Sequence, residues 1–135
     1  MEKDVKSRKS IAYLAHPISG DVEGNIESIL CILKEIRLNE DDGDEWRDII
    51  PVAPYITALH YLDDNVPEER ALGMEENSYY FEKGFIDELL LAGPYISSGM
   101  RKEIELAHSL GLPISCYNPA LQEELNQILD GLRQS

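Results

Sequence analysis

Cysteine is scarce in this chain. The 2 present in 135 residues, Cys31 and Cys116, build no disulfide framework and no metal-ligand spacing. Both are expected as small core hydrophobes. Long apolar runs are missing, so no segment is expected to span a bilayer. The run from Ile11 to Ala15 halts at His16-Pro17, too soon for the hydrophobic part of a signal peptide, and a cytoplasmic protein is the expectation. Basic residues are few. With 12 Lys and Arg against 26 Asp and Glu, the formal charge is -14, which argues against nucleic-acid polymers as partners, because binding them draws on Lys and Arg to displace counterions.

The acid is clustered, at Glu40 to Glu45, Asp63-Asp64, Glu68-Glu69 and Glu75-Glu76, a pattern of solvated loops and helix faces. His60, Asp63 and Asp64 share helical spacing but lack a fourth ligand, so neither a metal nor another cofactor is expected. A small phosphorylated ligand stays compatible with the charge, since a few local N–H groups can hold one phosphate. At 43% hydrophobic the chain suffices for a single domain over 1–135, with its core at about 11–118 and a closing helix over 119–131.

Apolar spacing alternates between strand and helix. Ile11 to Ala15 reads as a buried strand, followed by a helix from about Gly24 to Leu38 with Ile26, Ile29, Leu30, Leu33 and Ile36 on one side. Asn39 to Glu45 reads as a linker, and Asp48 to Pro54 as a second strand limited by its prolines. Tyr55 to Leu62, Pro67 to Leu72 and Glu75 to Phe85 read as three separate helical pieces. Asp87 to Pro94 is a continuous apolar run suited to a central strand. Leu112 to Tyr117 is the last strand, and Pro119 opens the closing helix. Alternation with right-handed crossovers predicts an α/β, Rossmann-like three-layer sandwich around a parallel sheet of four to five strands. The loops after Tyr13 and before Glu103 then meet at one sheet edge, where open α/β sheets bind ligands.

The stretch Ile96 to Gly111 carries the chemistry. It reads as a tight loop opening into a helix, with Met100, Glu103, Leu106, Ala107 and Leu110 on one face. Glu103 is a carboxylate within an apolar stripe, where an ionised group needs partners. Its side chain tilts back over Ser97, Ser98 and Gly99, toward the free N–H groups of the first turn. The plainer alternative makes Glu103 a first-turn acid or a partner of Arg101, with Ser98 as the N-cap. His108 falls about 140° away on the helical wheel and is expected to be exposed. Tyr79-Tyr80-Phe81 reads as core and interface packing rather than a base-stacking platform.

Tyr13-Leu14-Ala15-His16-Pro17-Ile18-Ser19-Gly20 with Asn25, then Asp87 to Leu91, Ser97-Ser98-Gly99, Glu103 to Ala107 and Gly111-Leu112-Pro113, together resemble the nucleoside 2-deoxyribosyltransferase-like superfamily. The resemblance runs from Ile11 to about Tyr117 and includes the nucleotide-hydrolysing branch. It implies cleavage of the N-glycosidic bond of a nucleoside or nucleotide, by a hydrolase or a transferase, with Glu103 as nucleophile and the Tyr13 hydroxyl orienting it. It also implies a phosphate contact at Ser97, with Ser98 and Gly99 in the same loop, and a sugar or base pocket lined by Ala15, His16, Pro17 and Gly20. A homo-oligomer is implied as well, with Asn118 a candidate to complete a neighbour's pocket. A non-catalytic nucleotide-binding or interaction protein on the same scaffold is the competing reading. The chain departs from the pattern in three places. His16 replaces a glycine, Tyr79 stands where characterised members carry an aspartate that handles the leaving base, and Arg101 and Lys102 replace small residues. Glu76 and His16 are the nearby substitutes for that aspartate.

Overall fold

The structure, a computed structural model, describes residues 9–38, 48–63 and 65–134. The linker expected at Asn39 to Glu45 and the metal-spacing candidate Asp64 lie outside the described residues. Four strands, β1 (Ser10–Ala15), β2 (Ile49–Val52), β3 (Glu88–Leu91) and β4 (Ile114–Cys116), form one parallel sheet in the order β2-β1-β3-β4. The connecting helices are α1 (Val22–Arg37), α2 (Tyr55–Tyr61), α3 (Pro67–Glu82) and α4 (Ser98–Ser109). A 3-10 turn, Pro119–Leu121, leads into α5 (Gln122–Gln134). The fold is Rossmann-like α/β, as the alternation predicts.

The central strands explain the architecture. Ala12 to Ala15 of β1 and Leu89 to Leu91 of β3 are fully buried on both faces, which requires cover above and below the sheet. Each large apolar side chain so buried stabilises the fold by about 1.5–3 kcal/mol relative to exposure. β2 lies at the edge, so Pro51, which has no N–H to donate, breaks no ladder on a second side. Asp21 caps α1, its Oδ1 accepting the Gly24 N–H at 3.1 Å. No helix among the described residues is long and apolar enough to cross a membrane.

Several expectations are corrected by packing. The pieces expected at Pro67 to Leu72 and Glu75 to Phe85 are one helix, α3, which continues through Gly73 where it passes Ala58 of α2 and Leu62 just beyond it. Leu30 and Cys31 of α1 are exposed, and its buried side is marked by Ile29 and Ile36. In α4 the buried face is Met100, Ile104 and Ala107, while Leu110 is 45% exposed. The stripe is thus rotated about Ile104, because the helix packs on β3 and β4 and leaves Glu103 and Leu106 at its flank. His108, expected outside, is half-buried.

Candidate functional site

β1 and β3 are neighbours, so the loops leaving their C-terminal ends lie side by side. Gly93 makes the approach possible. Its φ is +91°, and a Cβ there would stand 2.6 Å from Pro17 Cδ and 3.2 Å from the His16 ring. Only glycine combines that backbone with that proximity. Asn118 ties the far side: its Nδ2 donates to the Gly93 carbonyl at 2.8 Å, and its Oδ1 accepts the Ala120 N–H at 3.0 Å. Its amide is therefore engaged on both sides within its own chain.

Beside these loops, under α2, α3 and the start of α4, lies a cleft of about 210 Å³. Its wall is apolar where Tyr55, Leu59, Met74 and Phe81 face it, and polar where Glu103, Ser97, Ser98, Asn77 and Ser78 do. Glu69, Arg70 and Lys102 also line it. Typical small-molecule pockets run to about 300–1,000 Å³, so this cleft is small beside them.

Glu103 is held from behind. The Tyr13 hydroxyl donates to its Oε2 at 2.6 Å, across 90 residues of chain. Tyr13 is fully buried, its ring packed on Tyr55 at 5.6 Å and on Phe81 at 4.8 Å between centroids. The Tyr55 hydroxyl donates in turn to the Leu14 carbonyl at 2.5 Å. Tyr13 therefore reaches a ligand only through Glu103. The other Glu103 oxygen makes no hydrogen bond among the described residues. No buried side-chain oxygen or nitrogen there lacks a partner, so that oxygen is open to the cleft. Among the described residues no ion pair joins Glu103 to Arg101.

Burial pushes the Glu103 carboxyl up to about 7, and the Tyr13 hydrogen bond opposes part of that rise. Burial raises Tyr13 and Tyr55 as well, reinforced by the negative charge of Glu103. Both phenols thus stay protonated donors at neutral pH.

Ser97, not Ser98, is the N-cap of α4, its Oγ accepting the Met100 N–H at 3.2 Å while Met100 Sδ faces the Ser97 N–H at 3.4 Å. Ser97, Ser98 and Gly99 all line the cleft. Of the first loop, His16, Ile18 and Ser19 line it, whereas Ala15, Pro17 and Gly20 do not. Ala15 and Pro17 are buried, and Gly20 is an exposed turn residue with a φ of +96°. His16 Nδ1 donates to the Pro17 carbonyl at 2.8 Å, which leaves Nε2 to accept from Ser28 Oγ at 3.0 Å in the neutral ring. Both ring nitrogens are thus engaged in holding the loop.

Of the two substitutes for the expected aspartate, His16 lines the cleft and Glu76 does not. Tyr79 is 56% exposed, and neither it nor Glu76 lines the cleft. Glu76 instead accepts the Tyr61 hydroxyl at 2.7 Å. The cleft residues that periodicity left unmarked include Tyr55, Leu59, Met74, Asn77, Ser78 and Phe81. The irregular stretch from Tyr55 to Gly84 carried no spacing signal that singled them out. No group of three or more His, Cys, Asp or Glu comes together to hold a metal among the described residues. No curated protein and no solved structure matches the chain. Residues 10–117, from β1 through β4 and both loops of the cleft, match the Domain of unknown function (DUF7768), and the chain belongs to that family.

Proposed function

We propose that the protein cleaves the N-glycosidic bond of a nucleoside or nucleotide, with Glu103 attacking the anomeric carbon to form a glycosyl-enzyme intermediate. The observation that carries this reading is the Glu103 carboxylate, held at 2.6 Å by a buried tyrosine hydroxyl with its second oxygen open to the cleft. Cleavage passes through an oxocarbenium-like state, which an ionised carboxylate stabilises and can trap covalently, as in retaining glycosidases. Tyr13 fixes the rotamer of the nucleophile and favours its charged form. The apolar wall of Tyr55, Leu59 and Phe81 suits a flat base, and the polar Ser97 loop suits the sugar or a phosphate on it. The resemblance to nucleoside 2-deoxyribosyltransferase-like proteins points the same way. Water as acceptor makes the protein a hydrolase and a second base makes it a transferase.

The test is chromatographic detection of free base after incubating wild type and Glu103→Gln with nucleosides, 5′-monophosphates and N-ribosyl pyridinium compounds, with and without a second base. Release by wild type and its loss in Glu103→Gln is the expected result. A nucleophile that must be ionised also requires the rate to rise through about pH 7. If nothing in the panel is cleaved, while the same compounds still raise the melting temperature, the chain is a non-catalytic nucleotide-binding protein.

A further inference from the structure

We infer that the cleft acts on N-glycosides whose leaving group is already cationic, such as an N-ribosyl pyridinium or an N-alkylated purine, in preference to neutral nucleosides. The inference rests on Glu103 attacking the sugar as proposed above. A neutral base leaves as a nitrogen anion unless an acid supplies a proton, and a positioned general acid is worth about 10²–10⁴-fold in rate. The question is which group in the cleft can supply it.

Glu103 is committed as the nucleophile. His16 has both ring nitrogens engaged, with the Pro17 carbonyl and Ser28 Oγ. The Tyr55 proton goes to the Leu14 carbonyl. Glu69, on the α3 side, accepts the backbone N–H of Asp63 at 2.6 Å. Arg70 and Lys102 add positive charge to the rim, but guanidinium and ammonium groups are poor acids at neutral pH. Asn77 and Ser78, on the stretch of α3 where the resemblance expects an acid, offer hydrogen bonds and no acidic proton. Among the described residues the cleft keeps a nucleophile and has no group placed to protonate a departing base.

A cationic leaving group requires none. One Glu103 oxygen forms an ester bond to C1′ as the C1′–N⁺ bond breaks, and the bonding pair passes to the ring nitrogen, which departs neutral. Water then attacks C1′, the carboxylate leaves, and the proton of that water passes to solvent, giving the sugar with a free 1′-hydroxyl. The surroundings favour such a ring. Glu69 and Glu103 are negative, and the Tyr55 and Phe81 rings line the same space, where aromatic faces attract cations. The net charge of -14 draws cations toward the whole molecule. Arg70 and Lys102, of opposite sign, suit a phosphate on the sugar.

Matched pairs test this: 7-methylguanosine against guanosine, their 2′-deoxy counterparts, and nicotinamide riboside against adenosine, each with wild type and with Glu103→Gln to subtract spontaneous loss. The expected result is a kcat/KM at least about 100-fold higher for the cationic member of each pair, abolished in Glu103→Gln. Cleavage of both members at comparable kcat/KM, both dependent on Glu103, overturns the inference and leaves the glycosidase reading standing. No cleavage of either member overturns both.

Discussion

Among single side chains, Glu103 shows most directly how a site is set against the stability of the fold around it. Its carboxyl is raised from the ordinary 4.5 to about 7, so between those values the folded chain holds a proton that the unfolded chain has released. Stability must then fall as pH climbs through that window, and above pH 7 the fold carries the full penalty of an ionised, crowded carboxylate, up to about 3 kcal/mol. Glu103→Gln removes the titration and keeps an acceptor for the Tyr13 hydroxyl. The variant is expected to melt several degrees above wild type at pH 8 and to lose most of that advantage at pH 5, as followed by calorimetry at both values. A difference that does not change with pH would mean that the carboxyl titrates normally. Tyr13 and Tyr55 show the same logic of burial with partners, each hydroxyl finding an acceptor inside the core.

The elements meet through contacts that tolerate little change. Where β3 ends, the positive φ of Gly93 and its closeness to Pro17 let the two loops of the cleft touch. Gly93→Ala forces a side chain into both a left-handed backbone and a 2.6 Å overlap with Pro17 Cδ. Backbone strain of about 1–2 kcal/mol and overpacking of about 1–3 kcal/mol together predict a loss of roughly 2–5 kcal/mol. Urea unfolding should show it as a lower midpoint at an unchanged m-value. A midpoint within error of wild type would refute the packing account of this turn. At α4 the Ser97 hydroxyl takes up the Met100 N–H, and Ser97, Ser98, Gly99 and Glu103 all line the cleft, so one helix supplies both a carboxylate and a polar loop to the same space.

Across the whole molecule, a charge of -14 on 135 residues repels itself in the compact state. The described surface has few compensating pairs: Lys9–Asp48 at 3.8 Å and Arg133–Asp130 at 3.2 Å are both largely exposed and stabilise little. Salt shortens the range of that repulsion from about 30 Å at 0.01 M to under about 8 Å beyond 0.15 M. Raising NaCl from 0.01 to 0.5 M should therefore raise the melting temperature by a few degrees, the shift that about 1 kcal/mol produces in a chain of this size. A fall would show that attractive ion pairs outweigh the repulsion.

The order of strands and helices was determined by the sequence alone, because it rests on local signals. Leu89 to Leu91 form an unbroken apolar run, and Gly111, with its φ of +73°, follows the end of α4. A parallel sheet then puts the Tyr13 and Glu103 loops at the same edge, while the pairing of β1 with β3 that brings them side by side belongs to the tertiary strand order β2-β1-β3-β4. The tertiary structure decided what depends on distant partners. Ile104 rather than Leu110 faces the core since α4 packs on β3 and β4. Cys31 is exposed, α3 runs unbroken through Gly73, and Tyr79 turns outward while Asn77 and Ser78 turn in. The second partner of the His16 ring lies 12 residues along the chain on α1. Periodicity records which side of an element is apolar. Which part of that side meets a neighbour, and which is left to line a cleft, is set only when the elements pack.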